Sequence, residues 1–209
     1  MAQIDQIAQA TEAGIRALID GLLETGLCML DFGQSHPASG GEHQMSHFWE
    51  LKLLRENRPA LLHGLKVGVA SIMTARLYEK IRAIDRAEAA DRLERARQPD
   101  RSQLADRIRS AYGRAADQVI AEQGAWQDMP VDQFEQLKHC IVEQWAAVQS
   151  IAARVPAAEQ IAAWLGQVGA PTNGAALGFS DEEVAQAVEF GPYLRNRFTI
   201  LRLAPMLGL

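Results

Sequence analysis

Apolar residues recur at intervals of three and four along almost the whole chain, and nowhere alternate in the two-residue rhythm of a half-buried strand for more than a few positions. Ile4, Ile7, Ile15, Leu18, Ile19, Leu22 and Leu23 form the first such stripe, as an amphipathic helix with a core-facing side would. This restricts the chain to an all-α multi-helix bundle. At 209 residues, 48% of them hydrophobic, residues 1–209 are expected to form a single helical domain of about eight to ten helices.

Punctuation divides the pattern. Gly21, Gly26 and Gly33 are expected to loosen the first helical region ahead of the loop "SHPASGG". A helix then runs from near Gly41 to about Arg55, stopped by "ENRP", because the residue before a proline disfavours the helical region. The segment "HGLKVGVASIMTARLYEKIRAI", from His63, predicts a long central helix in which Gly64 and Gly68 admit a neighbouring backbone. Further helices are expected over 86–97, 102–122, 131–152 and 157–166, followed by the loop "GAPTNGAALGFS". Ser180 and Glu183 have capping-box spacing, and Gly191-Pro192 is expected to stop one helix and start the last, which carries Arg195 and Arg197.

Several functions are excluded on this basis. No strand-to-helix glycine turn of the GxGxxG or P-loop kind occurs, so no cofactor-binding residue for NAD(P) is expected in this chain. A net charge of −5 and interleaved Asp and Glu between Arg76 and Arg114 predict solvated helix faces and no nucleic-acid partner. No apolar run approaches the ~20 residues of a membrane span, and "MAQIDQIAQA" is no signal peptide. A soluble, cytoplasmic protein is expected, with Cys28 and Cys140 as buried free thiols.

The chemistry gathers in "PASGGEHQMSHFWELKLLRENRPALLHG", residues 37–64, which holds three of the five histidines, with His36 just before it. His43 and His47 stand four apart on one helix face, and His63 opens the next helix after a short connection. Imidazoles so placed can hold zinc, nickel or iron with coordination positions left open, as Lewis-acid catalysis on an alcohol or carbonyl requires. They can equally be surface or capping histidines. Glu42 is a further ligand, an outer partner to a ligand, or an acid stabilising the helix N-terminus, the last being the simplest. His139 is expected to be structural.

These same residues carry a resemblance. "PASGGEHQMSHFWELK" followed by "LLHGLKVGV" is similar to the signature of the bacterial sn-glycerol-1-phosphate dehydrogenases, in the superfamily of dehydroquinate synthase and the iron-containing alcohol dehydrogenases. The similarity extends through "MTARLYEKIR" and resumes at "GPYLRNRFTILRLAPMLG", the counterpart of that family's C-terminal helix. The resemblance implies a helical C-terminal domain that binds metal and substrate, with the N-terminal nucleotide-binding domain absent and the chain inactive alone. It implies metal ligation by His43 and His63, a catalytic contact of His47 with substrate, and Arg195 and Arg197 as candidates for the substrate phosphate. Zinc or nickel would polarise dihydroxyacetone phosphate while NADH or NADPH delivers hydride. The metal would be weakly held, because the family's third ligand is an aspartate, and Asp5, Asp20 and Asp31 lack its G-x-G-D setting. Gly41 stands where serine is common, and Leu65 where a polar residue often follows H-G. The implied partners are a phosphorylated polyol or ketone and a second copy in a homodimer. A dehydrogenase half acting on another polyol would carry the same residues. So would a non-catalytic helical module that oligomerises or binds a partner, using Trp126, Trp145 and Trp164 at an interface.

Overall fold

The periodicity resolves into helices joined by short turns. A computed structural model describes residues 3–209, the side chain of Ala125 excepted, and no strand occurs among them. In chain order the helices are α1 (Ile4–Ala8), α2 (Glu12–Phe32), α3 (Gly41–Arg55), α4 (His63–Ala83), α5 (Arg86–Arg95), α6 (Arg101–Tyr112) and α7 (Ala116–Glu122). They continue as α8 (Gly124–Gln127), α9 (Val131–Glu143), α10 (Trp145–Arg154), α11 (Ala158–Gln167), α12 (Asp181–Phe190) and α13 (Ile200–Met206). The fold is all-α, as the spacing predicts. None of the helices is long and apolar enough to cross a membrane.

The packed pair α3–α4 lies at the centre. Helix α4 packs on α3, α10, α11 and α13, while α3 also meets α12 and the 3-10 turn Gly191–Leu194. On α3, Met45, Phe48, Trp49 and Leu53 are all buried. Trp49 stacks on Phe179 at 5.0 Å between ring centroids and donates its indole N–H to the Glu183 carbonyl at 3.1 Å. Phe48 meets Tyr112 edge-on, and the Tyr112 hydroxyl donates to the Phe190 carbonyl at 2.6 Å. At Gly68 a Cβ would stand 3.3 Å from the Leu165 side chain, so a side chain and not the expected neighbouring backbone comes close there. Gly64 faces open space.

The connection from α3 to α4 is pinned by charge. Arg58 pairs with Glu183 and Glu56 and donates to the Gly178 carbonyl at 2.7 Å. Lys52 lies 2.8 Å from Glu56 and 3.6 Å from Glu183. The Lys52 ammonium, against a small burial penalty and with help from Arg58, holds the Glu56 carboxyl down at about 2. Burial works against the charge on Glu183, but the Ser180 N–H and Arg58 outweigh it and lower its pKa. The Ser180–Glu183 capping box is present, so Glu183 both caps α12 and anchors the connection.

Several expectations fail for identifiable reasons. The N-terminal stripe is not core: α2 packs mainly on α1 and the His36–Ala38 turn, leaving Leu22 65% and Leu30 79% exposed. Helix α2 also runs through Gly21 and Gly26, and only Gly33, at φ +73°, ends it. Cys28 and Cys140 are free but exposed, on α2 and on the outer side of α9. The expected 102–122 helix breaks at Gly113, at φ +54°, where Arg55 captures the α6 carbonyl of Ala111 at 2.5 Å. The 131–152 helix divides at Gln144, and α10 then sets the Trp145 indole N–H on the Ile84 carbonyl.

The last concerns the C-terminal arginines. Pro192 opens the 3-10 turn Gly191–Leu194, and residues 195–199 are non-helical, so Arg195 and Arg197 precede the last helix instead of lying on it. Arg202 satisfies part of this segment, its guanidinium donating to the Pro192 and Arg197 carbonyls at 3.2 and 3.1 Å.

Two outcomes follow. In urea melts, Trp49→Ala should cost about 3–5 kcal/mol, whereas Leu30→Ala should change stability by no more than about 0.5 kcal/mol. The depressed carboxyls of Glu56 and Glu183 contribute stability that is complete above their ordinary 4.5 and lost as pH falls through their lowered values, about 2 for Glu56. Acid titration of Arg58→Met should show a shallower decline over that window than the parent chain.

Candidate metal centre

A helix that buries Met45, Phe48 and Trp49 must turn its other side outward. On α3 that other side carries His43, His47 and Glu50, at i, i+4 and i+7. His63 is the first residue of α4. The α3–α4 hairpin returns it to the same place, with ring centroids 5.2 Å from both His43 and His47, which are themselves 6.4 Å apart. The convergence of three imidazoles expected from the spacing is therefore present. Gly41 lets α3 begin close to its neighbours, since a Cβ there would meet Ile200 at 3.0 Å and Leu201 at 3.1 Å.

Glu50 was not singled out from the sequence, although its position one turn beyond His47 was the signal for it. Ligand atoms of His47, Glu50 and His63 lie within 4.8 Å of one another, a spacing that could hold a metal ion. Asp5, Asp20 and Asp31 do not join them; all three are exposed, on α1 and α2. His36 stays in its turn beside Phe32, and His139 is exposed on α9.

Hydrogen bonds orient the rings. Glu42 accepts from His43 Nδ1 at 2.8 Å and from the Gly40 N–H at 2.8 Å. Burial alone would raise the Glu42 carboxyl, but those bonds and the nearby imidazole bring it below its ordinary value. A carboxylate on Nδ1 leaves the His43 Nε2 lone pair outward, as in metal-binding histidines. Glu42 thus has a definite contact beyond the helix-terminal role its position suggests. His47 Nδ1 stands 3.3 Å from Glu50, and His63 Nδ1 stands 3.4 Å from the Ser46 hydroxyl. Burial, then His43 and His47, lower the His63 pKa, with Glu50 acting in opposition. A neutral His63 is the form able to coordinate a cation.

Beside the cluster is a cavity of about 320 Å³ whose wall includes His47, Glu50, Leu51, Leu54 and Arg195. Arg195 thus shares a cavity with His47. Arg197 points elsewhere, donating to the Ser39 carbonyl at 3.2 Å and the Ser35 hydroxyl at 3.1 Å, where it ties the loop before α3.

The chain is 30% identical over 199 residues to a glycerol-1-phosphate dehydrogenase (NAD(P)+) of Bacillus subtilis, a match covering 95% of this chain. Over nearly its whole length, the chain is thus similar to glycerol-1-phosphate dehydrogenases. It is 49% identical over 79 residues to the enzyme of that name in Halalkalibacterium halodurans, and 41% identical over 76 residues to that of Aeropyrum pernix, about a fifth of each relative's length. Even the long match spans only 38% of the Bacillus subtilis protein. No family model and no solved structure matches the chain.

The Glu42 contact makes a checkable statement about tautomers. Long-range proton–nitrogen correlation spectra at pH 8 should show neutral His43 protonated mainly at Nδ1. Glu42→Gln should shift that population toward Nε2–H, while His63 keeps its own pattern.

Proposed function

We propose that this chain is the metal- and substrate-binding part of an NAD(P)-dependent sn-glycerol-1-phosphate dehydrogenase that reduces dihydroxyacetone phosphate. The observation that carries this is the meeting of three imidazoles from α3 and α4 beside a cavity that also holds Arg195. The donor set fits a borderline divalent ion, zinc or nickel. His43, oriented by Glu42, and His63, kept neutral by burial, would hold it. Such an ion supplies Lewis-acid polarisation of the substrate carbonyl. His47 shares Nδ1 with Glu50, and its Nε2, which makes no hydrogen bond among the described residues, would hold or move the proton at the substrate oxygen. Arg195 would fix the phosphate through charge-assisted hydrogen bonds. Arg197 would act on the phosphate only by releasing its hold on Ser35 and Ser39. NAD(P)H would be held by other residues, and this chain would be inactive alone.

The 4.8 Å grouping of His47, Glu50 and His63 favours a second ligand set in which His47 binds the metal instead of the substrate. Calorimetric titration with zinc and nickel separates the two. Under the first assignment His43→Ala should weaken binding by about tenfold or more, with Glu50→Gln nearly neutral. The reverse pattern would establish the second set, and unchanged affinity in a His43→Ala, His63→Ala double variant would overturn the metal centre altogether.

A further inference from the structure

A second cavity, of about 300 Å³, lies where α6, α8, α9 and the C-terminal segment meet, and it shares no lining residue with the cavity beside His47. Its wall includes Arg202, Arg97, Arg107, Trp126, Phe134 and Tyr193. Arg202 is only 5% exposed, and its hydrogen bonds all go to neutral acceptors: Nε to the Arg197 carbonyl, Nη2 to the Pro192 carbonyl and to Gln123 Oε1. Its guanidinium lies 4.5 Å from the Trp126 ring and 5.6 Å from that of Tyr193. Among the described residues, Nη1 makes no hydrogen bond and no carboxylate pairs with the group. Burial lowers its pKa to about 10, which leaves it charged at neutral pH.

A cation enclosed by carbonyls and aromatic faces is unusual, because buried charges are normally paired. The rest of the wall does not supply the missing anion. Arg97 and Arg107 add two further positive charges, and Glu189, the one acidic lining residue, is already paired with Arg107. Three cations against one anion leave this wall at +2, within a chain whose net charge is −5. Trp126 and Tyr193, against which Arg202 lies, and Phe134 add aromatic surface to the same wall.

We infer that this cavity binds a small organic anion, its carboxylate or phosphate group on Arg202 Nη1 and the rim arginines, its flat apolar body against Trp126 and Tyr193. The volume suits a single ring bearing one anionic group and lies at the lower end of small-molecule pockets. Charge-assisted bonds to arginine orient the head, and the aromatic faces select the body.

The test titrates the chain with phenyl phosphate, benzoate and inorganic phosphate, following tryptophan fluorescence and backbone amide shifts. Phenyl phosphate or benzoate should bind saturably, with shifts centred on Trp126 and Tyr193, and about tenfold more tightly than inorganic phosphate, which lacks the apolar body. Whichever of the two binds more tightly reports whether a phosphate or a carboxylate head is preferred. Arg202 is buried, so its replacement risks the fold; the exposed rim pair Arg97→Gln, Arg107→Gln is the deciding variant. It should melt as the parent does and lose about fivefold or more in affinity, the worth of a charge-assisted contact. Arg195→Gln should leave this binding unchanged. Absence of saturation, unaltered affinity in the rim variant, or shifts centred on His47 and Arg195 would each overturn the assignment.

Discussion

Everything at the candidate centre depends on how α3 is rotated against α4. The buried set Met45, Phe48 and Trp49 and the outward set His43, His47 and Glu50 belong to one helix, so fixing one fixes the other. Trp49 sets the rotation with two different contacts, a stack on Phe179 and a hydrogen bond to the Glu183 carbonyl. A single residue of register shift would turn the helix by about 100° and carry the imidazoles away from His63. Core packing is thus also site geometry, and the ion cluster of Lys52, Glu56, Arg58 and Glu183 serves the same end by holding the hairpin connection that delivers His63.

Burial and the two neighbouring rings favour the uncharged form of His63. Three imidazoles within 6.4 Å of one another repel if more than one is protonated. Glu42 and Glu50 each engage one Nδ1, which orients the ring without occupying Nε2. Three rings brought this close present a set of nitrogen donors that a single cation could bridge. Surface or capping histidines have no need of that arrangement, and a purely scaffolding module would not need the two carboxylates either.

Local signals made a good part of this legible. The bounds of α3 and α4, the capping box at Ser180 and the meeting of His43, His47 and His63 all follow from spacing within a few turns of helix. Periodicity identifies an apolar face but not what covers it, so the α2 stripe read as core and stands exposed. The same confusion placed Cys28 and Cys140 inside. Breaks imposed from a distance were equally invisible: Arg55 takes a carbonyl at the end of α6, 56 positions away in the chain. Glu50 was missed for a different reason, since its i+7 position was visible but carboxylates are common on helix faces.

Arg202 shows how far such a long-range contact can reach. Its guanidinium holds the carbonyls of Pro192 and Arg197, on either side of Arg195. Those bonds satisfy backbone acceptors in a segment that has no helix to satisfy them, which is why residues 195–199 can stay non-helical beside a buried core. The side chain of Arg195 then faces one cavity, while the guanidinium that fixes its backbone lines the other. One short stretch of chain, residues 192–202, thus contributes to the walls of both cavities.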